Sequence, residues 1–283
     1  MTGRLVVVGT PIGNLEDLSP RALRTLREAA TILCEDTRRT RKLLSALAVP
    51  APRLVRVDQH TESSQVDAVV ALVVEGATVV LVSDAGMPTI SDPGHLVVKG
   101  VAAAGLPTEV VPGPCAVSAA LALSGFPAAQ YRFAGFLPRR GRDRHAALQA
   151  VADDAGAVVI YEAPNRVAAT VSELAAVCGS DREVAAAREL TKLHEEVWRG
   201  PLGEAARRLA RADAETRGEW VLVIGPRPTP APPTVGSAEI EAALRAKLEG
   251  GMDRRQAVAE VAAELGVAKR VAYEGAVALK GAF

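Results

Sequence analysis

The chain has 283 residues, 49% apolar and 23% charged, which is the profile of a globular protein with room for one large or two ordinary domains. Its 33 Lys and Arg balance 33 Asp and Glu, which excludes a protein that coats nucleic acid or membrane through its overall field but leaves room for a local basic patch. Aromatic residues make up 3%, too few for a row of base-stacking rings, and three scattered cysteines (Cys34, Cys115, Cys178) without a CxxC form neither a disulfide framework nor a zinc cluster and fit a reducing compartment.

The first apolar run, residues 5–8, is too short for a signal-peptide core, and no stretch approaches ~20 apolar residues. A cytoplasmic protein without a membrane span is the expectation. Residues 5–8 read as a buried strand, and Ser19-Pro20 followed by Leu23, Leu26 and Ala30 as a capped helix. Strands at 31–34, 54–57, 78–82 and 108–111 follow, with helices at 37–47, 64–75, 95–104 and 115–124 between them. Strand and helix alternating in this way predict a mostly parallel sheet covered on both faces. Ligands of such sheets sit in the loops beyond the carboxyl ends of the strands.

After Gly125-Phe126-Pro127 the pattern restarts. Strands are predicted at 158–161, 183–187, 195–198 and 220–224, and helices at 143–153, 166–177 and 201–212. The short connection between the strands around 183–199 predicts antiparallel pairing there. Residues 227–235 are a proline-rich extended linker, since proline at this density continues neither strand nor helix. Beyond it, Ile240, Leu244 and Leu248 form one stripe. Asp253-x-x-Gln256 resembles a capping box before Val258, Val261 and Leu265, and Val267, Val271 and Tyr273 begin a third helix after Gly266. Two helices around a glycine turn read as a helix-turn-helix or as a plain packing unit. The expected organisation is an α/β domain over 1–124, a second over 125–226, the linker, and a small helical domain over 236–283.

The chemistry-bearing segments lie at predicted strand ends. The loop after strand 1, Val8-Gly-Thr-Pro-Ile-Gly-Asn14, lets backbone approach a ligand, but it lacks the GxGxxG spacing. Glu35 and Asp36 suit ribose hydroxyls or a helix cap equally. Residues 83–94 (Ser-Asp-Ala-Gly-Met-Pro-Thr-Ile-Ser-Asp-Pro-Gly) are too long and too rich in Gly, Pro, Ser and Asp for a plain turn, which needs about three or four such residues. Residues 111–116 (Val-Pro-Gly-Pro-Cys-Ala) enter a helix whose first N–H groups are free for polar ligand atoms. Three such loops from one sheet suggest a cofactor contacted at several points, and no GxxxxGK[ST] marks a bare phosphate site. Arg38, Arg39, Arg41 and Lys42 form one basic cluster and Arg139, Arg140, Arg142 and Arg144 another, suited to phosphate oxygens or to solvated helix faces. The four histidines have no metal-ligand spacing, and no metal is expected.

Taken in order, these loops, together with 34–38 (Cys-Glu-Asp-Thr-Arg), 133–138 (Phe-Ala-Gly-Phe-Leu-Pro), 161–166 (Tyr-Glu-Ala-Pro-Asn-Arg), 188–192 (Arg-Glu-Leu-Thr-Lys) and 218–220 (Gly-Glu-Trp), closely resemble a family of small-subunit ribosomal RNA methyltransferases. That family lies within the tetrapyrrole-methylase-like (class III) group, and the resemblance covers essentially the whole chain. Departures are Met87 where Thr is common, Cys115 where Ser is usual, Asn165 for a common His, and a drifted stretch at 58–62.

The resemblance implies two α/β domains with S-adenosylmethionine in the cleft between them, plus the helical tail. It implies 2′-O-methylation of a decoding-centre cytidine of 16S rRNA, within the 30S subunit, by a homodimer. Carried over by motif, the cofactor contacts are Gly9, Pro11, Ile12, Gly13, Asp84, Ala85, Gly86, Met87, Ile90, Cys115, Ala116, Tyr161, Leu190 and Glu219. The RNA contacts are Arg38, Arg39, Arg41, Arg139, Arg140, Arg142 and Arg166. A ribose hydroxyl needs a proton acceptor. Glu162 and Glu189 are the leading candidates, with Glu35 and Lys192 behind them. The alternatives are a tetrapyrrole-type small-molecule methylase, which the arginine clusters and the tail speak against, and a non-catalytic RNA-binding assembly factor.

Overall fold

The computed structural model describes residues 3–211, 214, 216–228 and 235–279, which form two compact units, Met1–Arg227 and Pro228–Phe283. In the first unit, strands β1 (Arg4–Val8), β2 (Thr31–Cys34), β3 (Arg53–Arg56), β4 (Thr78–Leu81) and β5 (Thr108–Val111) form a parallel sheet of order β3-β2-β4-β1-β5. Alternate side chains leave opposite faces of a strand, so both faces are apolar here. Val6, Val8, Ile32 and Val80 pack on Ala22 and Leu26 of helix α1 (Pro20–Glu28) and Leu44 of α2 (Thr37–Ala46). Leu5, Val7, Leu33, Val79 and Leu81 pack on Val69 and Val73 of α3 (Glu62–Val74) and Val97 and Val101 of α4 (His95–Ala103). The Ser19 hydroxyl accepts from Ala22 N at 3.1 Å and caps α1, as the Ser-Pro pair predicts.

Helix α5 (Ala116–Ser124) leads to the second half. There β6 (Tyr131–Phe136), β7 (Ala157–Glu162), β8 (Glu183–Arg188), β9 (Glu196–Pro201) and β10 (Trp220–Ile224) form a sheet of order β6-β7-β10-β8-β9. β6 and β7 run parallel, and the other pairs are antiparallel, including the expected β8–β9 hairpin. One face packs on α6 (Gly141–Asp153), α7 (Val167–Cys178) and α8 (Leu202–Leu209) through Leu148, Val171, Leu174 and Leu202. The other face, with Val159, Ala185 and Val223, packs on Val117, Ala120 and Leu121 of α5 and on Ile12 and Leu190. Helix α5 therefore fixes the first half's loops against the second sheet. Arg182, 2% exposed, donates to the carbonyls of Val151, Ala152, Asp154 and Gly225 and closes the far end of that sheet.

Strand β6 was not expected. It is an edge strand, exposed at Tyr131 and Phe136, and Gly135 (φ +64°) interrupts its register against β7. Without a continuous buried run it carries little periodicity.

In the second unit, α9 (Ser237–Glu249), α10 (Arg254–Glu264) and α11 (Lys269–Ala278) enclose Ile240, Leu244, Val258, Val261 and Ala276. Asp253 accepts from Arg255 N and Gln256 N, the cap its position predicts. Val271 and Tyr273 lie in the third helix as expected and are exposed on it, while Ala272, Ala276 and Leu279 form the buried face. Of the expected linker, 229–234 lie outside the described residues.

Candidate active site

The loops after β1, β4 and β5 converge. Thr10 N donates to Gly86 O (2.9 Å) and Gly86 N to Thr10 O (3.1 Å), a bridge between two loops 76 residues apart. Gly86 is left-handed (φ +80°), and a Cβ there would meet Ile12 Cγ2 at 3.2 Å. Ser83 and Thr10, both buried, turn their hydroxyls onto carbonyls of the same loop. Glu62 on α3, 2% exposed, accepts from Gly94 N at 3.0 Å and from Leu96 N, which anchors the loop's far end to the start of α4.

Between these loops and the second sheet lies a cavity of about 340 Å³, within the range of small-molecule sites. Met87, Ile90, Leu190, Tyr161 and Phe136 give it an apolar wall, and Cys115 and Ala116 form its base. Phe133 and Phe136 meet Tyr161 edge-on, at ring centroid distances of 4.9 and 5.6 Å. Burial pushes the Tyr161 phenol well above its ordinary range. A polar cleft opens beside the cavity, lined by Glu35, Asp36, Arg38, Arg39, Arg56 and Asp84, and the two chambers share Ala85, Asp92 and Glu219. The side-chain and backbone hydrogen bonds from Arg38 hold the Asp36 carboxyl well below its usual range.

Backbone strain concentrates at this cavity. Among the described residues, five non-glycines have positive φ: Thr89 (72°), Ser91 (65°), Glu189 (52°), Thr191 (64°) and the distant Ala48 (51°). Such conformations persist only where surrounding contacts enforce them, and they mark functional loops. The 189–192 loop is held by Glu189, which accepts from Lys192 Nζ and Glu219 N (both 2.8 Å), and by Lys192, which also donates to Glu219 Oε2 (2.9 Å). Although partial burial opposes it, these bonds lower the Glu189 pKa; they likewise raise that of Lys192 against the cost of burying an ammonium.

The expected cofactor residues divide between wall and scaffold. Ile12, Ala85, Gly86, Met87, Ile90, Cys115, Ala116, Tyr161, Leu190 and Glu219 line the cavity. Gly9 packs against Gly113 and Met87, and Gly13 against Leu190, Thr191 and Lys192, so these two act through packing. Pro11 is half-buried outside the lining, and Asp84 faces the cleft, accepting from Asp36 N (3.1 Å) and pairing with Arg39 (3.4 Å).

Glu162 stands at the cavity wall, but its carboxylate turns inward. It accepts from Thr170 Oγ1 (2.6 Å) and Ala163 N (2.8 Å) and pairs with Arg166 Nε (3.2 Å), leaving no exposed side-chain surface. Arg166 in turn donates to Leu137 O and is a structural brace rather than an RNA-facing cation. Arg144, grouped by sequence with Arg139, Arg140 and Arg142, is buried on Glu173, Thr170 and Pro138 O. The other three are exposed at the start of α6. Arg38, Arg39 and Arg41 are exposed on α2, although Arg38 pairs with Asp36 at 2.8 Å. Sequence reasoning did not single out Asp92, Phe136 or the anchoring Glu62. Only the length of the 83–94 loop pointed toward Asp92.

Residues 4–206 match the family of Tetrapyrrole (Corrin/Porphyrin) Methylases. Proteins named Ribosomal RNA small subunit methyltransferase I align over most of the chain. The one from Pseudomonas aeruginosa is 37% identical over 99% of this chain and 98% of its own length. That from Synechocystis is 37% identical over 96% of both, and that from Thermotoga maritima 45% identical over 72% of this chain and 90% of its own. The chain belongs to the ribosomal RNA small subunit methyltransferase I family. Solved structures of similar fold include the methyltransferase CobJ, with a TM-score of 0.57 and 21% identity over 83% of this chain and 97% of that one. Diphthine synthase superposes with a TM-score of 0.58 and 14% identity over 79% and 90%. The fold is thus that of the tetrapyrrole methylases, with both sheets inside it. Among the described residues, no group of His, Cys, Asp and Glu is arranged to hold a metal ion, and no helix is long and apolar enough to cross a membrane.

Proposed function

We propose that this protein is an S-adenosylmethionine-dependent methyltransferase of small-subunit ribosomal RNA, and that it methylates the ribose 2′-oxygen of a decoding-centre cytidine of 16S rRNA within the 30S particle. It acts in the cytoplasm as a homodimer. The observation that carries the reading is the pairing of family membership over nearly the full chain with an apolar cavity that opens into a polar, arginine-bearing cleft.

The cavity fits the donor. Its walls are apolar enough for an adenine ring and the carbon chains on either side of a sulfonium, and the side chain missing at Gly86 leaves the bridged loop close to Ile12. Gly86, Met87, Ile90, Cys115, Ala116 and Leu190 would hold S-adenosylmethionine, which when bound supplies a methyl group on a positively charged sulfur. The chain's task is alignment more than charge stabilisation, since that positive charge disappears on transfer. The strained 89–91 and 189–191 loops give rigid walls, and Tyr161 and Phe136 add apolar ring surface to the cavity. In the adjoining cleft, Arg39 and Arg56, paired with Asp84 and Asp58, would supply cations for phosphate oxygens beside the reacting ribose.

The decisive experiment incubates the purified protein with labelled S-adenosylmethionine and 30S particles from cells lacking this methylation, then maps ribose methyl groups by mass spectrometry. One methyl group on a decoding-centre cytidine is expected. Labelling of a tetrapyrrole but not of RNA overturns the reading, as does RNA binding without calorimetric binding of the donor.

A further inference from the structure

The polar cleft has a volume of about 810 Å³, against about 340 Å³ for the donor cavity, which is room for a nucleoside and its phosphate. In the methyltransferase reading, the ribose oxygen meets the donor where the two chambers share Ala85, Asp92 and Glu219, and the attached base extends into the cleft. An enzyme that acts on one nucleotide of folded RNA takes it out of the stack and reads its exposed Watson–Crick edge. On that edge cytosine presents an amine donor at N4, where uracil presents a carbonyl acceptor. Selecting cytosine over uracil therefore calls for an acceptor that nothing else occupies.

The carboxylates of the cleft differ in what already occupies their oxygens. Glu35, Asp36 and Asp84 line the cleft without bordering the donor cavity. Both Asp36 oxygens bind the Arg38 guanidinium, at 3.1 and 2.8 Å. Asp84 accepts from Asp36 N at 3.1 Å and pairs with Arg39 at 3.4 Å. Asp92 and Glu219 border the donor cavity as well, and Glu219 is paired with Lys192. Glu35 has neither a hydrogen bond nor an ion pair among the described residues.

The surroundings of Glu35 favour a donor. Burial, then the Asp84 carboxylate, raise its pKa; Asp58 adds to them, while Arg39 and Arg56 work in the opposite direction. A partly buried carboxylate among like charges, with no N–H of its own, gains from an amine brought to it. Its backbone is also fixed. Strand β2 is paired on both sides, by β3 and β4, and ends at fully buried Cys34, whose carbonyl accepts from Val57 N at 2.8 Å. On the other side Asp36 N is tied to Asp84, and the Asp36 side chain caps α2 through Arg38 N at 2.8 Å. Glu35 thus stands at a fixed point between sheet and helix, as discrimination between two bases of one shape requires.

Building on the methyltransferase reading, we infer that Glu35 is the residue that selects the base: its carboxylate accepts a hydrogen bond from the cytosine N4 amine and repels the O4 carbonyl of uracil. Arg39 and Arg56 border the same cleft, so phosphate and base are met there by groups of opposite sign. The donor cavity does not include Glu35, which makes base selection separable from donor binding.

The test compares the full chain with Glu35→Gln in single-turnover methylation of two 30S particles, one with the target cytidine and one with uridine in its place. Wild type should prefer the cytidine particle about 10- to 100-fold, the usual cost of one wrong base. The Gln amide accepts from an amine and donates to a carbonyl, so the variant should slow on cytidine, gain on uridine, and bring the ratio within about threefold. Calorimetric affinity for S-adenosylmethionine should stay within about twofold, a split that general damage to the fold would not produce. A Gln variant that keeps the wild-type ratio overturns the inference, as does a wild-type protein without preference or a variant that has lost donor binding. A wild-type protein that binds the donor yet methylates neither particle overturns the rRNA reading instead. In that event the two proteins, loaded with donor, are titrated with cytidine and uridine 5′-monophosphates and followed by NMR. A wild-type preference for the cytidine nucleotide that Glu35→Gln abolishes upholds the assignment, and equal or absent binding of the two nucleotides by wild type overturns it.

Discussion

Gly9 and Gly113 meet backbone to backbone beyond the ends of neighbouring strands β1 and β5, so closely that a Cβ on Gly9 would lie 2.6 Å from Gly113 Cα and 2.7 Å from Met87 Sδ. Three loops of the site are thus stacked at van der Waals limits through two residues without side chains. Gly9→Ala should destabilise by about 1–3 kcal/mol, the cost of overpacking a filled site. It should also displace Met87 from the cavity wall and weaken S-adenosylmethionine binding. Gly236→Ala, at an open position with φ −61°, serves as the control and should leave both unchanged. Denaturant unfolding and calorimetry check the pair. Wild-type stability and affinity in the Gly9→Ala variant would refute the packing argument.

Glu162 acts on stability. Replacing it with Gln leaves Arg166 partly buried without its anion, and removing one partner of a buried pair typically costs about 3–5 kcal/mol. Because Arg166 retains some exposure and its bond to Leu137 O, about 2–3 kcal/mol is expected, with single-turnover methylation by the folded protein within a few-fold of wild type. The reverse pattern, unchanged unfolding with a hundredfold slower transfer, would support Glu162 as the proton acceptor.

Arg139, Arg140 and Arg142 are exposed and have no ion pair among the described residues, whereas Arg144 and Arg166 serve the interior. Converting the three exposed residues to Glu should raise the KM for 30S particles at least about tenfold and flatten its salt dependence, since phosphate contacts release counterions. The affinity for S-adenosylmethionine should not move. Salt-titrated kinetics that match wild type would remove this patch from the RNA interface.

The position of Asp92 also predicts a pH-dependent stability. Its folded value, about 6, lies above the usual aspartate value of 3.8, so the fold favours the protonated carboxyl. The stability tied to that proton is full in acid and is lost as pH rises through about 6. Asp92→Asn should therefore unfold at higher denaturant than wild type at pH 7.5, by about 1 kcal/mol once solvent screening of a half-exposed group is counted, and the gain should vanish near pH 4. Equal midpoints at both pH values would show that burial of this charge costs nothing.

The residues that could be read locally are those whose neighbours in space are also neighbours along the chain. β2 and β10 coincide with uninterrupted buried runs, and the Ser19 and Asp253 caps act within three residues. The 83–94 and 111–116 segments could be recognised as site loops because their glycines, prolines and polar residues exceed what turns require, whereas 188–192 entered only through the family resemblance. β6 escaped because an exposed, bulged edge strand has no apolar period.

What the sequence by itself determined is the elements other than β6, the order of the loops and the family, because apolar period and motif spacing are local or cumulative along the chain. Composition and zero net charge excluded a nucleic-acid coat, and only the fold separated exposed Arg139, Arg140 and Arg142 from buried Arg144. Tertiary structure alone decided which carboxylates already have partners. Glu162 looks catalytic in its motif, yet Thr170 and Arg166 occupy it. Asp92 lies where both chambers meet, and burial together with the Glu35 and Asp84 carboxylates raises its pKa. A carboxylate's role depends on desolvation and on partners many residues away, and neither is encoded in its spacing from its neighbours.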